Sequence, residues 1–205
     1  MISGFAPEEI KKFLIEVFED KNNPAYGQVA TLSENRRPHV RTVHIHYRKE
    51  FDALAFSAHT ASSKWKELEK NPYLSGCFFD MVRFVQFRWE SQVQLLSGDS
   101  LFQGQPLLEA VPERDCLQAM WKLMREEVRQ AYWLDSDKLL GTDKIDTKYD
   151  LNKRALGHGV VVCHPSSWTL YKMNPQVYSK GQCTRYELKN DTWISKKVSI
   201  LGCDL

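Results

Sequence analysis

Arg83-Phe84-Val85-Gln86-Phe87-Arg88-Trp89-Glu90-Ser91-Gln92-Val93-Gln94-Leu95-Leu96-Ser97 decides the fold class. Val85, Phe87, Trp89, Val93 and Leu95 alternate with Gln86, Arg88, Glu90, Gln92 and Gln94. A period of two sends successive side chains to opposite faces of a strand. One face is therefore expected to be buried, and the other to meet water, a partner or a ligand.

The sequence on either side supplies neighbours for this strand. Residues 26–33 read as a strand, 34–38 as a turn and 39–48 as a second strand. In that second strand Val40, Thr42, His44 and His46 share one face, and Arg41, Val43, Ile45 and Tyr47 the other. Residues 52–58 and 73–79 are further strands, with a short helix between them at 62–70. Trp65 and Leu68 lie on one side of that helix, and Asn71-Pro72 ends it. Strand character returns at 160–163 and 168–173, and a last hairpin at 184–188 and 192–200 turns around Lys189-Asn190-Asp191.

Two stretches carry a helical period instead. Ile10, Phe13, Leu14, Val17 and Phe18 mark one apolar face after Pro7. Leu117, Met120, Trp121, Met124, Val128, Ala131 and Tyr132 predict one amphipathic helix over about 114–133. Residues 134–157 are polar and weakly patterned, and read as loop with short helical turns, long enough to serve as a lid or to lie against a partner. The expected class is mainly β with helical additions (α+β), a small antiparallel barrel. A single domain over 1–205 is expected, with a helical segment at about 114–157.

Composition narrows the function classes. The 205 residues are 42% hydrophobic and 26% charged, with a formal net charge of +2. A balance this mild argues against nucleic acid and against anionic membrane as partners. The five cysteines are odd in number and no pair has CxxC spacing, so reduced thiols and a cytoplasmic location are expected. No window approaches the apolar length of a membrane span.

The candidate chemistry begins at Ser62-Ser63-Lys64, which opens the short helix. Free N–H groups and the positive end of the helix dipole favour an anion there. Arg41, with its planar fork, is placed to complete a phosphate grip. An ordinary serine N-cap with two surface cations would read the same way.

Arg41-Thr42-Val43, Ser62-Ser63-Lys64, Asn71-Pro72 and Gln86-Phe87-Arg88 follow one another in the order and spacing of a known family. In this the chain resembles the FMN-binding split-barrel proteins related to pyridoxamine 5′-phosphate oxidase. Trp121-Lys122-Leu123, Arg129 and Tyr132-Trp133 are similar to the oxidase-related subfamily of unknown substrate. The resemblance implies a split β-barrel homodimer with FMN at the subunit interface. It implies that Arg41 and Lys64 bind the FMN phosphate, with Ser62 or Ser63 assisting. Thr42 lies between the matched positions. Val43 and His44 would offer backbone groups to the ring, and Gln86, followed by Arg88, would hydrogen-bond it. Ser57-Ala58 stands where the family has a Tyr-Thr or His-Thr pair.

The chain also departs from the oxidases. His46 stands where they carry a substrate-binding Lys, and Gln176-Val177-Tyr178-Ser179-Lys180 replaces their Arg-x-His pair. Trp168 or Tyr171 lies near the place of their flavin-contacting Trp. The expectation is an FMN-dependent oxidoreductase on a small molecule, with the vitamin B6 substrate residues missing. A non-catalytic flavin-binding or storage protein, and a barrel that binds haem or a protein partner, are the alternatives. His44 and His46, two apart on one strand, could ligate a metal, but no third ligand is placed, so no metal is expected.

Overall fold

A computed structural model describes residues 5–19, 25–48, 52–98, 113–133 and 153–199, with the side chains of 18, 19 and 113–115 left aside. Most of the expected loop at 134–157, Cys203 and the end of the last expected strand lie outside the described residues. In chain order the elements are α1 (Glu8–Glu19), β1 (Tyr26–Leu32), β2 (Pro38–His44), β3 (His46–Arg48), β4 (Ala53–His59), α2 (Ser63–Lys70), β5 (Tyr73–Asp80), β6 (Val85–Ser97), α3 (Glu113–Leu123), α4 (Glu126–Ala131), β7 (His158–Lys172), β8 (Gln182–Lys189) and β9 (Thr192–Val198). The described strands form one antiparallel sheet in the order β2-β1-β5-β6-β7-β4-β3, with β8 on β7 and β9 on β8.

The sheet curls into a split barrel because two of its strands change partner midway. Residues 39–48 were expected as one strand. They are two: the pairing with β1 runs on in register through the Ile45 N–H, which donates to the Ala25 carbonyl at 2.9 Å, and the chain then changes partner. β2 thus pairs with β1, and β3 with β4. Residues 160–163 and 168–173 were expected as two strands and are one, β7. Its register on β6 slips between Glu90 and Ser91, where Glu90 faces Ser167 and Ser91 faces Pro165. The extra residue, Ser166, is a β-bulge, and it accommodates a proline that has no N–H to give. On its other edge β7 pairs with β4 before the bulge and with β8 after it.

The helix expected over 114–133 is also two. Arg125 is extended (φ −62°, ψ 155°) and separates α3 from α4. The last hairpin turns as the sequence predicts, with Asn190 (φ 48°) and Asp191 (φ 58°) in the left-handed pair that a two-residue turn needs.

The main core lies inside the barrel. Val29, Val43, Ile45, Phe56, Phe87, Trp89, Trp168 and Leu170 fill it, Trp65 and Leu68 of α2 pack into it, and Ile10, Leu14 and Val17 of α1 cover it. Gly76 is required here, because a Cβ would sit 2.1 Å from the Trp89 ring. The period of two along β6 holds through Val93, after which both Leu95 and Leu96 are covered. Leu96 packs under α3 with Ala55, Leu117, Met120 and Val162 in a second, smaller core on the outer face.

Cys77, Cys116 and Cys163 form no disulfide. Cys183 is disulfide-bonded, against the expectation of reduced thiols throughout. An odd count and missing CxxC spacing do not exclude a disulfide at one of the five cysteines.

Candidate functional site

Arg41 lies on the inner face of β2 beside Val43. The register carries this face across the sheet, because Arg41 pairs with Val29, Val29 with Gly76, and Gly76 with Trp89. Its guanidinium is held at two points. Nη1 donates to Thr31 Oγ1 at 2.5 Å and Nη2 to Glu67 Oε2 at 3.1 Å. The Thr31 hydroxyl donates in turn to Glu67 Oε2 at 2.5 Å, which closes a triangle. The other carboxylate oxygen, Oε1, meets His39 Nδ1 at 2.7 Å. Burial alone would raise the Glu67 pKa, but the hydrogen bonds from Thr31, His39 and Arg41 outweigh it and hold the carboxyl below its ordinary range.

α2 brings Lys64 to the same place. Burial lowers its pKa, the neighbouring Arg41 charge lowers it further, and Glu67 partly offsets both. Two cations crowded in a half-buried setting favour an anion between them. Ser62 precedes the helix in extended geometry (φ −70°, ψ 152°) and makes no side-chain capping bond. Its Oγ is buried without a hydrogen-bond partner. The Trp65 N–H already donates to the Ser62 carbonyl at 3.1 Å, and the Ser63 and Lys64 N–H groups have no acceptor within the helix. Ser63 itself is exposed.

The other expected residues lie elsewhere. Gln86 and Arg88 alternate with Trp89 along β6, so they point to the outer face of the sheet, away from Arg41. Thr42 and His44 point the same way from β2. One row across the outer face runs Thr42, Gln28, Cys77, Arg88, Thr169, Arg185. Gln86 Oε1 is buried there without a partner. Within one chain, therefore, Arg41 and Lys64 come together and Gln86 does not join them.

Ser57 faces neither group. It lies on the outer face under the helical segment, where its Oγ is 3.1 Å from His158 Nε2. The His158 ring is fully buried between Trp121 and Tyr132, at ring-centroid distances of 5.1 Å and 5.2 Å. Burial and then the Arg154 charge push its pKa down from 6.5 to about 3. The folded protein thus holds His158 neutral while the unfolded chain protonates it near 6.5. Stability is fully present above pH 6.5 and is lost as pH falls towards 3, at about 1.4 kcal/mol per pH unit. About 2 kcal/mol is expected to be gone at pH 5. Urea unfolding of wild type and His158→Gln across pH 4–7 tests this; an unchanged slope in the variant would sink the assignment.

His44 and His46 pack against each other at 4.2 Å, with Tyr26 stacked on His44 at 4.9 Å. Burial, then the His44 and Arg48 charges, lower the His46 pKa to about 4. Among the described residues, no group of three or more His, Cys, Asp or Glu is placed to hold a metal ion.

Thr31, His39, Glu67 and His158 were missed in the sequence. Glu67 left a faint signal, standing one helical turn beyond Lys64 and one place before the buried Leu68. Thr31 left another, as a polar residue in phase with the inward Val29.

Comparisons with known proteins agree with this architecture. Residues 7–143 match the family model described as pyridoxamine 5′-phosphate oxidase. A pyridoxine/pyridoxamine 5′-phosphate oxidase of Herminiimonas arsenicoxydans is 26% identical over 162 residues, 78% of this chain and 68% of that one. The crystal structure of an FMN-binding protein from Nostoc punctiforme PCC 73102, related to pyridoxamine 5′-phosphate oxidase, superposes with a TM-score of 0.76 at 18% identity, over 95% of this chain and 97% of that one. PhzG of Burkholderia lata 383, solved with tetrahydrophenazine-1-carboxylic acid, superposes with a TM-score of 0.65 at 14% identity, over 93% and 90% of the two chains. Among the described residues, no helix is long and apolar enough to cross a membrane. Sheet order, helix placement and a family match over two thirds of the sequence lead to one assignment: the chain belongs to the pyridoxamine 5′-phosphate oxidase family.

Proposed function

We propose that the chain, as one domain, is an FMN-binding flavoprotein that works as a homodimer and acts as an oxidoreductase on a small molecule. The observation that carries this reading is the α2 entrance. There Ser62, its hydroxyl buried without a partner, opens the helix that carries Lys64, and Lys64 feels the Arg41 charge. A phosphate ester fits that set by charge and by donor chemistry. Gln86 Oε1, buried without a donor on the outer face, fits an N–H of a flat polar ring. These two sets face opposite sides of the sheet, which supports a site shared between two copies.

Bound there, FMN would supply hydride or electron transfer. The chain's own part is to grip the phosphate with Arg41 and Lys64 and to orient the ring through Gln86. An absorbance spectrum before and after adding FMN and desalting tests the reading. Oxidised-flavin bands that stay with the protein are expected. A colourless protein that takes up no FMN would move a haem-binding or partner-binding barrel ahead.

One observation favours a second reading, a flavin holder without turnover. His46, in place of a Lys in the oxidases, is held neutral and cannot act as a cation for a substrate phosphate near pH 7. Reduction of bound FMN by pyridoxamine 5′-phosphate or NAD(P)H would exclude it. The cytoplasmic location expected from the sequence stays part of the proposal, but the bonded Cys183 removes its argument from thiols.

A further inference from the structure

Glu67 is absent from the residues given to FMN above, yet Arg41, Thr31 and His39 all bond to its carboxylate. We propose that Glu67 is the positioning residue of the phosphate site, holding Arg41 in its binding pose through the Thr31–Glu67–His39 cluster. The inference rests on the reading of Arg41 and Lys64 as phosphate ligands.

The geometry carries it in three steps. First, Glu67 is only 9% exposed, and both its oxygens are engaged, Oε2 by Thr31 and Arg41, Oε1 by His39. A carboxylate fixed from three sides has little freedom of its own. Second, it and Thr31 fix one edge of the Arg41 fork by engaging Nη1 and Nη2. A guanidinium has five N–H donors, so the fork keeps donors for a ligand while its plane is set. Third, Glu67 stands three residues after Lys64 on the same helix. Helical neighbours at this spacing share a face. One turn of α2 therefore fixes the position of both cations, Lys64 directly and Arg41 through Glu67.

A carboxylate beside an anion site also repels the anion, so a purely electrostatic role would have the opposite sign. Binding titrations separate the two, run on Glu67→Ala, Glu67→Gln, Arg41→Ala and the Arg41→Ala/Glu67→Ala double variant. The probes are FMN and riboflavin, which lacks the phosphate. Glu67→Ala is expected to weaken FMN about tenfold, the size of one lost charge-assisted contact, and to leave riboflavin unchanged. Glu67→Gln, whose amide oxygen still accepts from Arg41, is expected to restore most of the affinity. In the Arg41→Ala background the Glu67→Ala loss should vanish, because a residue that acts through Arg41 has nothing left to position.

Unchanged or tighter FMN binding by Glu67→Ala overturns the proposal, and so does an equal loss for riboflavin or additivity in the double variant. If Arg41→Ala itself binds FMN as wild type does, the phosphate reading falls first. If only the Arg41 effect appears, that reading survives and the Glu67 role does not. Should Glu67→Ala not fold, Thr31→Val removes the bridging hydroxyl instead, with the same pattern expected at smaller size.

Discussion

Arg41→Ala and Lys64→Ala are each expected to weaken FMN binding by roughly 1.5–3 kcal/mol, about ten- to a hundredfold in Kd. On the proposed reading, each removes a charge-assisted donor from the phosphate site, where water would replace it poorly. Their effects on the empty protein should differ. Arg41→Ala takes a donor from the buried Glu67 carboxylate, which then keeps only Thr31 and His39. Lys64→Ala instead removes an ammonium whose pKa is lowered by burial and then by the Arg41 charge. Arg41→Ala should thus cost more fold stability, and Lys64→Ala almost none. Fluorescence titration with FMN, followed by thermal melts of the FMN-free variants, reads both quantities. Unchanged titrations in the two variants would remove the phosphate site from Arg41 and Lys64.

Phe87→Ala is expected to destabilise the fold by about 3–5 kcal/mol. Phe87 is buried on the inner face of β6. Its ring lies 6.0 Å from Phe13 on α1 and 6.1 Å from Phe78 on β5. The cavity would open where the N-terminal helix seats on the barrel, so two elements lose packing together. A domain of ordinary stability has only about 5–15 kcal/mol in total. Gln92→Ala, exposed on the same strand, should stay within about 0.5 kcal/mol. The urea midpoints of the two variants make the comparison, and a Phe87→Ala cost below that of Gln92→Ala would contradict the assigned core.

The period of two along β6 was legible because one of its faces is apolar almost without exception. The interruptions were not. Ile45 is as apolar as a continuous strand would have it, and nothing in its side chain marks the place where the chain exchanges β1 for β4. The Ser166 bulge falls in a polar stretch where local pattern is silent. Arg125 gives no composition signal for the break between α3 and α4, since arginine is a good helix former.

The candidate site follows the same division. Arg41, Lys64 and Gln86 could be named from their spacing and from the resemblance they carry. Which face each occupies depends on register across three or four strands, and that information is not local. Glu67 was hidden for a different reason. A glutamate in a helix is mostly exposed, and the spacing from Lys64 and Leu68 alone does not show that Thr31, His39 and Arg41 will bond to it.

The sheet standing between Arg41 and Gln86 has a thermodynamic consequence. If each flavin takes its phosphate grip from one chain and its ring contact from another, cofactor and second subunit are linked ligands. FMN added to a dilute sample would then drive association, and concentrating the apo-protein would sharpen its affinity for FMN by the same factor. The split site would make holding cofactor and holding together one equilibrium.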